Sequence, residues 1–268
     1  MSLLPLIRTA RVFDLEQPRF AGMPIHPSHK PGYTYHLHRR HEDTLDPADG
    51  PRSGASGVVT MMEHTGTHID AHSHQADSLT ICGGIKVGPI QSPIGFKQGG
   101  VEEIPPIVAR GVLLDVAAYR GVDELPPREL VHAEELQACA AKQNVTPDKG
   151  DVLLVRIGNA RNWGDEAKFL ASAGMSRSAS LWAAERGVVA VGADNMAWDA
   201  IGVRDPEVGL LPGHLELLAR RGIYIVENLN LDELSQERIY EFVFVCLPLK
   251  FKGATGSPVR PVAIVSRQ

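Results

Sequence analysis

Five short apolar runs constrain the fold of this chain most: Gly111-Val-Leu-Leu-Asp115, Asp151-Val-Leu-Leu-Val-Arg156, Gly187-Val-Val-Ala-Val-Gly-Ala193, Gly222-Ile-Tyr-Ile-Val226 and Glu241-Phe-Val-Phe-Val-Cys-Leu247. They are rich in β-branched, Leu or aromatic residues, and most are bounded by Gly or Asp, which is the pattern of buried strands. Between them, residues 128–143, 176–186 and 213–221 carry helix-like spacing. Strands that alternate with helices predict an α/β architecture. A hydrophobic content of 43% with 22% charged residues is ordinary for a globular core, and the 268 residues are read as one domain.

The same composition excludes several partners. A net charge of −5 offers no basic stripe for nucleic acid. No apolar run reaches the 18 or so residues of a membrane span, and Met1-Ser-Leu-Leu-Pro5 opens no signal peptide, so a soluble, cytoplasmic protein is expected. Cys82, Cys139 and Cys246 are odd in number and far apart, which suggests neither disulfides nor a thiolate metal site.

Residues 24–57 are rich in Pro, Gly, His and charge, and read as a long loop region that covers the substrate. His26, His29, His36, His38 and His41 lie within it, dispersed enough to be solvated residues or substrate contacts rather than metal ligands.

The chemistry concentrates further on. Glu63-His-Thr-Gly-Thr-His-Ile-Asp-Ala-His-Ser-His74 holds four of the chain's 11 histidines and one aspartate. Imidazole nitrogen and carboxylate oxygen are the donors that zinc and related divalent ions prefer, and a catalytic site needs about three of them beside an open position. In a fully extended strand His64 and Asp70 would lie about 20 Å apart, so ligands of one ion require a bend between them. Thr65-Gly66-Thr67 is the evident hinge, because glycine tolerates backbone angles that other residues do not.

Two families of metal hydrolase fit this segment. Asp70-Ala-His-Ser-His74 matches the DxHxH pattern of amidohydrolase barrels, but those normally place it near the N-terminus and use later histidines, of which only His132 and His214 follow here. The fuller resemblance is to the "cyclase" family, which includes bacterial kynurenine formamidase and isatin hydrolase and has the signature HxGTHxDxxxH. Residues His64 to His74 satisfy it at every fixed position. Phe13-Asp-Leu-Glu-Gln-Pro18, Gly22-Met-Pro24, Gly150 to Val155, His214 to Leu218 with Glu227-Asn-Leu229, and Gly256 to Arg260 resemble further landmarks in family order.

That resemblance implies a swivelling β/β/α fold, assembled as a homodimer or homotetramer. It implies His64, His68 and Asp70 as ligands of a first ion, with Asp70 able to bridge to a second ion held by His214 and Glu227, and one or two ions of Zn2+ or Mn2+. His74 becomes the catalytic histidine, and Glu227 is counted with it. The reaction implied is hydrolysis of a C–N amide bond in a small molecule, an aryl formamide or a cyclic amide such as isatin, with a lactone or other cyclic ester as the alternative. A metal-binding relative without activity is a further alternative, and His74, which holding metal does not require, favours an enzyme. The chain departs from the formamidases at His72, where they typically have Pro.

Several residues stay open on sequence alone. Thr67 and Gly66 fit an oxyanion contact or a structural turn equally. Trp163, Trp182 and Trp198 are expected in the core or an interface. Asp194-Asn-Met-Ala-Trp-Asp199 is a candidate pocket loop, and Gly253 to Pro258 a tight turn near the site.

Overall fold

The computed structural model describes residues 8–266. A nine-stranded mixed sheet organises them. In chain order its strands are β1 (Ala10–Asp14), β2 (His68–Asp70), β3 (Ile107–Asp115), β4 (Val152–Arg156), β5 (Ala190–Ala193), β6 (Tyr224–Glu227), β7 (Glu241–Cys246), β8 (Gly256–Pro258) and β9 (Val262–Ser266). Across the sheet they run β1-β9-β7-β3-β4-β5-β6-β2-β8. The four central strands, β3 to β6, are parallel and linked by crossovers that contain helices, while every pairing outside them is antiparallel.

The central runs read as continuous hydrophobics because both of their faces are buried. Val112, Leu114, Leu153, Val155, Val191, Ala193 and Ile225 pack beneath the helices Ala133–Gln143 and Arg177–Glu185, with Leu136, Cys139, Ala179 and Trp182. The alternate residues, Leu113, Leu154 and Val226, face a second core with Phe13 of β1, Ile69 of β2 and Phe242 and Phe244 of β7. One cluster thus gathers residues from strands far apart in sheet order, so the sheet curls around it with the helices outside. The expected α/β, swivelling β/β/α arrangement is what these layers form.

Three expected boundaries move. The helix read over 128–143 starts at Ala133, because Leu130–Val131 instead pairs with Gly174–Met175 as a short parallel ladder. The helical pattern at 213–221 becomes a π-helical turn, His214–Ala219. The region 24–57 is not one long loop. Thr34–Arg39 pairs antiparallel with Ser56–Thr60 in a two-stranded ribbon whose residues are all exposed. Trp163, Trp182 and Trp198 are buried, as are Cys139 and Cys246. No helix among the described residues is long and apolar enough to cross a membrane.

Candidate metal centre

Strand β2 places the centre. It lies between β6 and β8, with Glu227 directly opposite His68 and Gly256 directly opposite Asp70. Side chains alternate along a strand, so His68 and Asp70 project to one side with Glu227 beside them, while Ile69 enters the core on the other. The bend expected at Thr65-Gly66-Thr67 is present: Gly66 has φ +72°, and the turn carries His64 back over the strand. A side chain at position 256 would meet the His64 ring, since a Cβ built there lies 2.6 Å from Cε1, so glycine opposite Asp70 is what admits the imidazole.

The chain therefore brings His64, His68, Asp70, His214 and Glu227 together, all buried. His64 Nδ1 is 2.8 Å from Asp70 Oδ1, and His68 Nε2 is 3.5 Å from the same oxygen and 3.3 Å from Glu227 Oε2. His214 Nε2 lies 3.4 Å from Asp70 Oδ2 and 3.2 Å from Glu227 Oε1. The opposite nitrogen of each imidazole is tied to the protein: His64 Nε2 to Thr255 Oγ1 at 2.8 Å, His68 Nδ1 to the Gly66 carbonyl at 2.7 Å, and His214 Nδ1 to Asp199 Oδ2 at 2.8 Å. Metal-ligating histidines are held in this way, one nitrogen anchored and the other left with its lone pair inward.

The inward atoms are short of partners. His64 Nδ1, both oxygens of Asp70 and Glu227 Oε1 are buried without a hydrogen bond. Buried polar atoms are seldom left so, and a divalent cation among them would satisfy the whole set. Ligand atoms of His64, His68 and Asp70 lie within 4.8 Å of one another, as do those of Asp70, His74 and His214, so two groups share Asp70. Electrostatics points the same way: burial acts to raise the Asp70 carboxyl, but His74, His214, His64 and His68 outweigh it and hold it well below the usual carboxylate range. Glu227 is pushed up by burial and by Asp70.

His74 ends the short turn His72–His74, and its ring stands 4.0 Å from that of His64 and 6.0 Å from that of His214. Burial, with His64 and His214 adding to it, holds its imidazole well below the ordinary histidine range against the pull of Asp70, so it is neutral near pH 7. His72 points elsewhere. It stacks on Tyr224 at 4.7 Å and 5°, and its Nε2 is 3.1 Å from the Gly222 carbonyl. Thr67 is structural: its hydroxyl accepts from Gln17 N–H and donates to the Asn228 carbonyl.

A cavity of about 100 Å3 opens onto these groups, lined by His26, Ser28, His29, Met196, Ala197, Leu211 and the site histidines. Met196 and Ala197 bear out the 194–199 segment as a pocket loop. Of residues 24–57, His26, Ser28 and His29 line the cavity. The loop histidines thus divide. His29 stacks on His64 at 4.8 Å, with His26 5.7 Å away, whereas His36, His38 and His41 lie in the exposed segment. Burial and then the neighbouring His64 push His29 down to about 4.

Asp199 was not foreseen as a site residue; only its position within the Asp194 to Asp199 segment hinted at it. His132 caps a helix away from the site, and the curled sheet is not an amidohydrolase barrel.

A kynurenine formamidase from Bordetella petrii is 25% identical over 253 residues, covering 94% of this chain and 97% of the relative. A crystal structure described as a novel cyclase superposes with a TM-score of 0.85 at 29% identity, covering 97% of this chain and 88% of the other. Isatin hydrolase A from Ralstonia solanacearum shares the fold, with a TM-score of 0.73 at 24% identity over 99% of this chain and 98% of its own. The Cyclase family model ("Putative cyclase") matches residues 13–200, and the chain belongs to that family.

Proposed function

We propose that this chain is a metal-dependent hydrolase that cleaves a C–N amide bond in a small molecule, an aryl formamide or a cyclic amide such as isatin. The observation that carries this reading is that His64 Nδ1, both Asp70 oxygens and Glu227 Oε1 are buried without hydrogen bonds, beside three imidazoles each anchored through one ring nitrogen. His64, His68 and Asp70 would hold one divalent ion, and Asp70, His214 and Glu227 a second. Such an ion supplies Lewis acidity, polarising the carbonyl and lowering the pKa of water from about 16 toward 7.

The remaining work falls to the protein. His74 is neutral and reaches the centre, so its free nitrogen accepts a proton from the attacking water as the oxygen adds to the carbonyl carbon. The imidazolium then returns that proton to the departing nitrogen as the C–N bond breaks. Asp70 lies close enough to stabilise the transient positive charge. Met196, Ala197 and Leu211 give the narrow cavity its apolar wall.

The relatives support the amide, since kynurenine formamidase is a name that states a C–N hydrolysis. Hydrolysis of an aryl formamide, isatin and a simple lactone by the purified protein, before and after chelation and after restoring Zn2+ or Mn2+, tests the reading. Amide turnover that the chelator removes and the metal restores is expected, with His74→Ala keeping its metal and losing turnover. Turnover of the lactone alone would reassign the bond to an ester, and retained turnover in His74→Ala would remove that residue from proton transfer.

A further inference from the structure

His29 ends a short 3-10 turn, Pro27–His29, in which the His26 ring accepts from Ser28 N–H. The turn is firmly mounted. Met23 and Ile25, just before it, are buried, and Met23 packs with Trp163, Phe169 and Met196, the last of which also lines the cavity. The His29 imidazole is thereby held against His64, the ring planes 26° apart, with His74 6.0 Å away on the same side. It makes no hydrogen bond within the described residues, in contrast to the anchored imidazoles of the centre.

Its nitrogen is placed for coordination. One nitrogen from each of His29, His64 and His74 lies within 4.8 Å of the others. Two nitrogens on a tetrahedral zinc are about 3.4 Å apart, given bonds of about 2.0–2.1 Å, so a small rotation about the side-chain bonds closes the gap.

Resting on the proposed metal dependence, we propose that His29 is a further ligand of the ion held by His64, His68 and Asp70. It completes that ion's coordination with a third imidazole in the resting protein. A set of three imidazoles and one carboxylate is richer in nitrogen than the signature alone provides, and it favours zinc over manganese, which prefers oxygen donors. The sequence motif ends at residue 64 on its N-terminal side; only the fold brings residue 29 to it.

Zinc affinity measured against a competing chelator, with the histidine donors counted by X-ray absorption of the zinc-saturated protein, tests this. His29→Ala is compared with His29→Phe, which keeps a ring stacked on His64 but has no donor, and with His68→Ala. Loss of residues that merely orient a ligand costs about 10–100-fold in affinity. Both His29 variants should therefore lose at least about tenfold, and the donor count summed over bound ions should fall by one. Unchanged affinity and count in both variants, with His68→Ala impaired, overturns the role of His29 alone. A wild-type protein that binds no zinc, or a His68→Ala variant that binds it normally, overturns the metal site beneath it as well.

Discussion

Asp199 accepts three hydrogen bonds, two of them from His214: Oδ2 takes the ring Nδ1–H at 2.8 Å and the His214 backbone N–H at 3.1 Å, while Oδ1 takes the Gly213 backbone N–H at 2.6 Å. One buried carboxylate thus fixes the start of the helical turn and the orientation of the imidazole upon it, turning Nε2 toward Asp70 and Glu227.

Asp199→Asn should therefore act on metal binding rather than on the fold at large. The amide offers one acceptor oxygen where the carboxylate has two, and its NH2 must face a backbone N–H or the ring N–H. Losing such an orienting partner costs about 10–100-fold in metal affinity. Metal retained after dialysis against a chelator measures it; wild-type retention would show that His214 holds its orientation without Asp199.

The fate of His72 shows how far the sequence carries. His64, His68, Asp70, His72 and His74 share a parity, which in a continuous strand would put all five on one face. The strand is only His68–Asp70, and the turn at His72–His74 sends His72 onto Tyr224 and returns His74 to the centre. His72→Ala should leave metal content and turnover unchanged and cost about 0.5–1.5 kcal/mol of stability through the lost ring pair, with His72→Phe regaining most of it. Urea midpoints measure the loss; a fall in bound metal would return His72 to the ligands.

The central strands were legible because burial on both faces leaves an unbroken apolar run, and the hinge because only glycine suits Gly66. The signature carried His64, His68, Asp70 and His74 within eleven positions. His214 and Glu227 rested on the resemblance, and the pairing of Glu227 with His68 across the strands now explains why a carboxylate ends β6. What could not be read is set by tertiary packing. His29 reaches His64 through the mounting of Met23 and Ile25, and Asp199 reaches His214 through a loop, and neither contact has a local sequence pattern. The ribbon was missed for the opposite reason: Pro and Gly at 24–33 and 47–57 punctuate strands short enough to pass for loop.

That ribbon bears on assembly. Two-stranded ribbons are marginal in water unless something packs on them, yet Tyr35, Leu37, Val58 and Val59 all stand exposed. The dimer or tetramer that the resemblance implies would supply a cover. Sedimentation at micromolar concentration should find it, and Tyr35→Asp with Val59→Asp should shift the protein toward monomer. A monomeric wild type would refute the expectation.

Asp194 gives a prediction about pH. It is buried at the end of β5 and accepts the backbone N–H groups of Ile157, Gly158 and Asn159, yet burial outweighs these donors and raises its carboxyl to about 6. The folded protein then holds a proton there that the unfolded chain, with an ordinary aspartate near 3.9, has released. Between about pH 4 and 6 the native state binds more protons, so this group's contribution to stability is complete below pH 4 and is lost as the pH rises through 6. At about 1.36 kcal/mol per pKa unit the loss is on the order of 3 kcal/mol. Asp194→Asn cannot ionise, so wild type should lose stability relative to that variant between pH 4 and pH 7 in urea unfolding. A constant difference would mean that the three N–H donors keep the carboxylate ionised at an ordinary pKa.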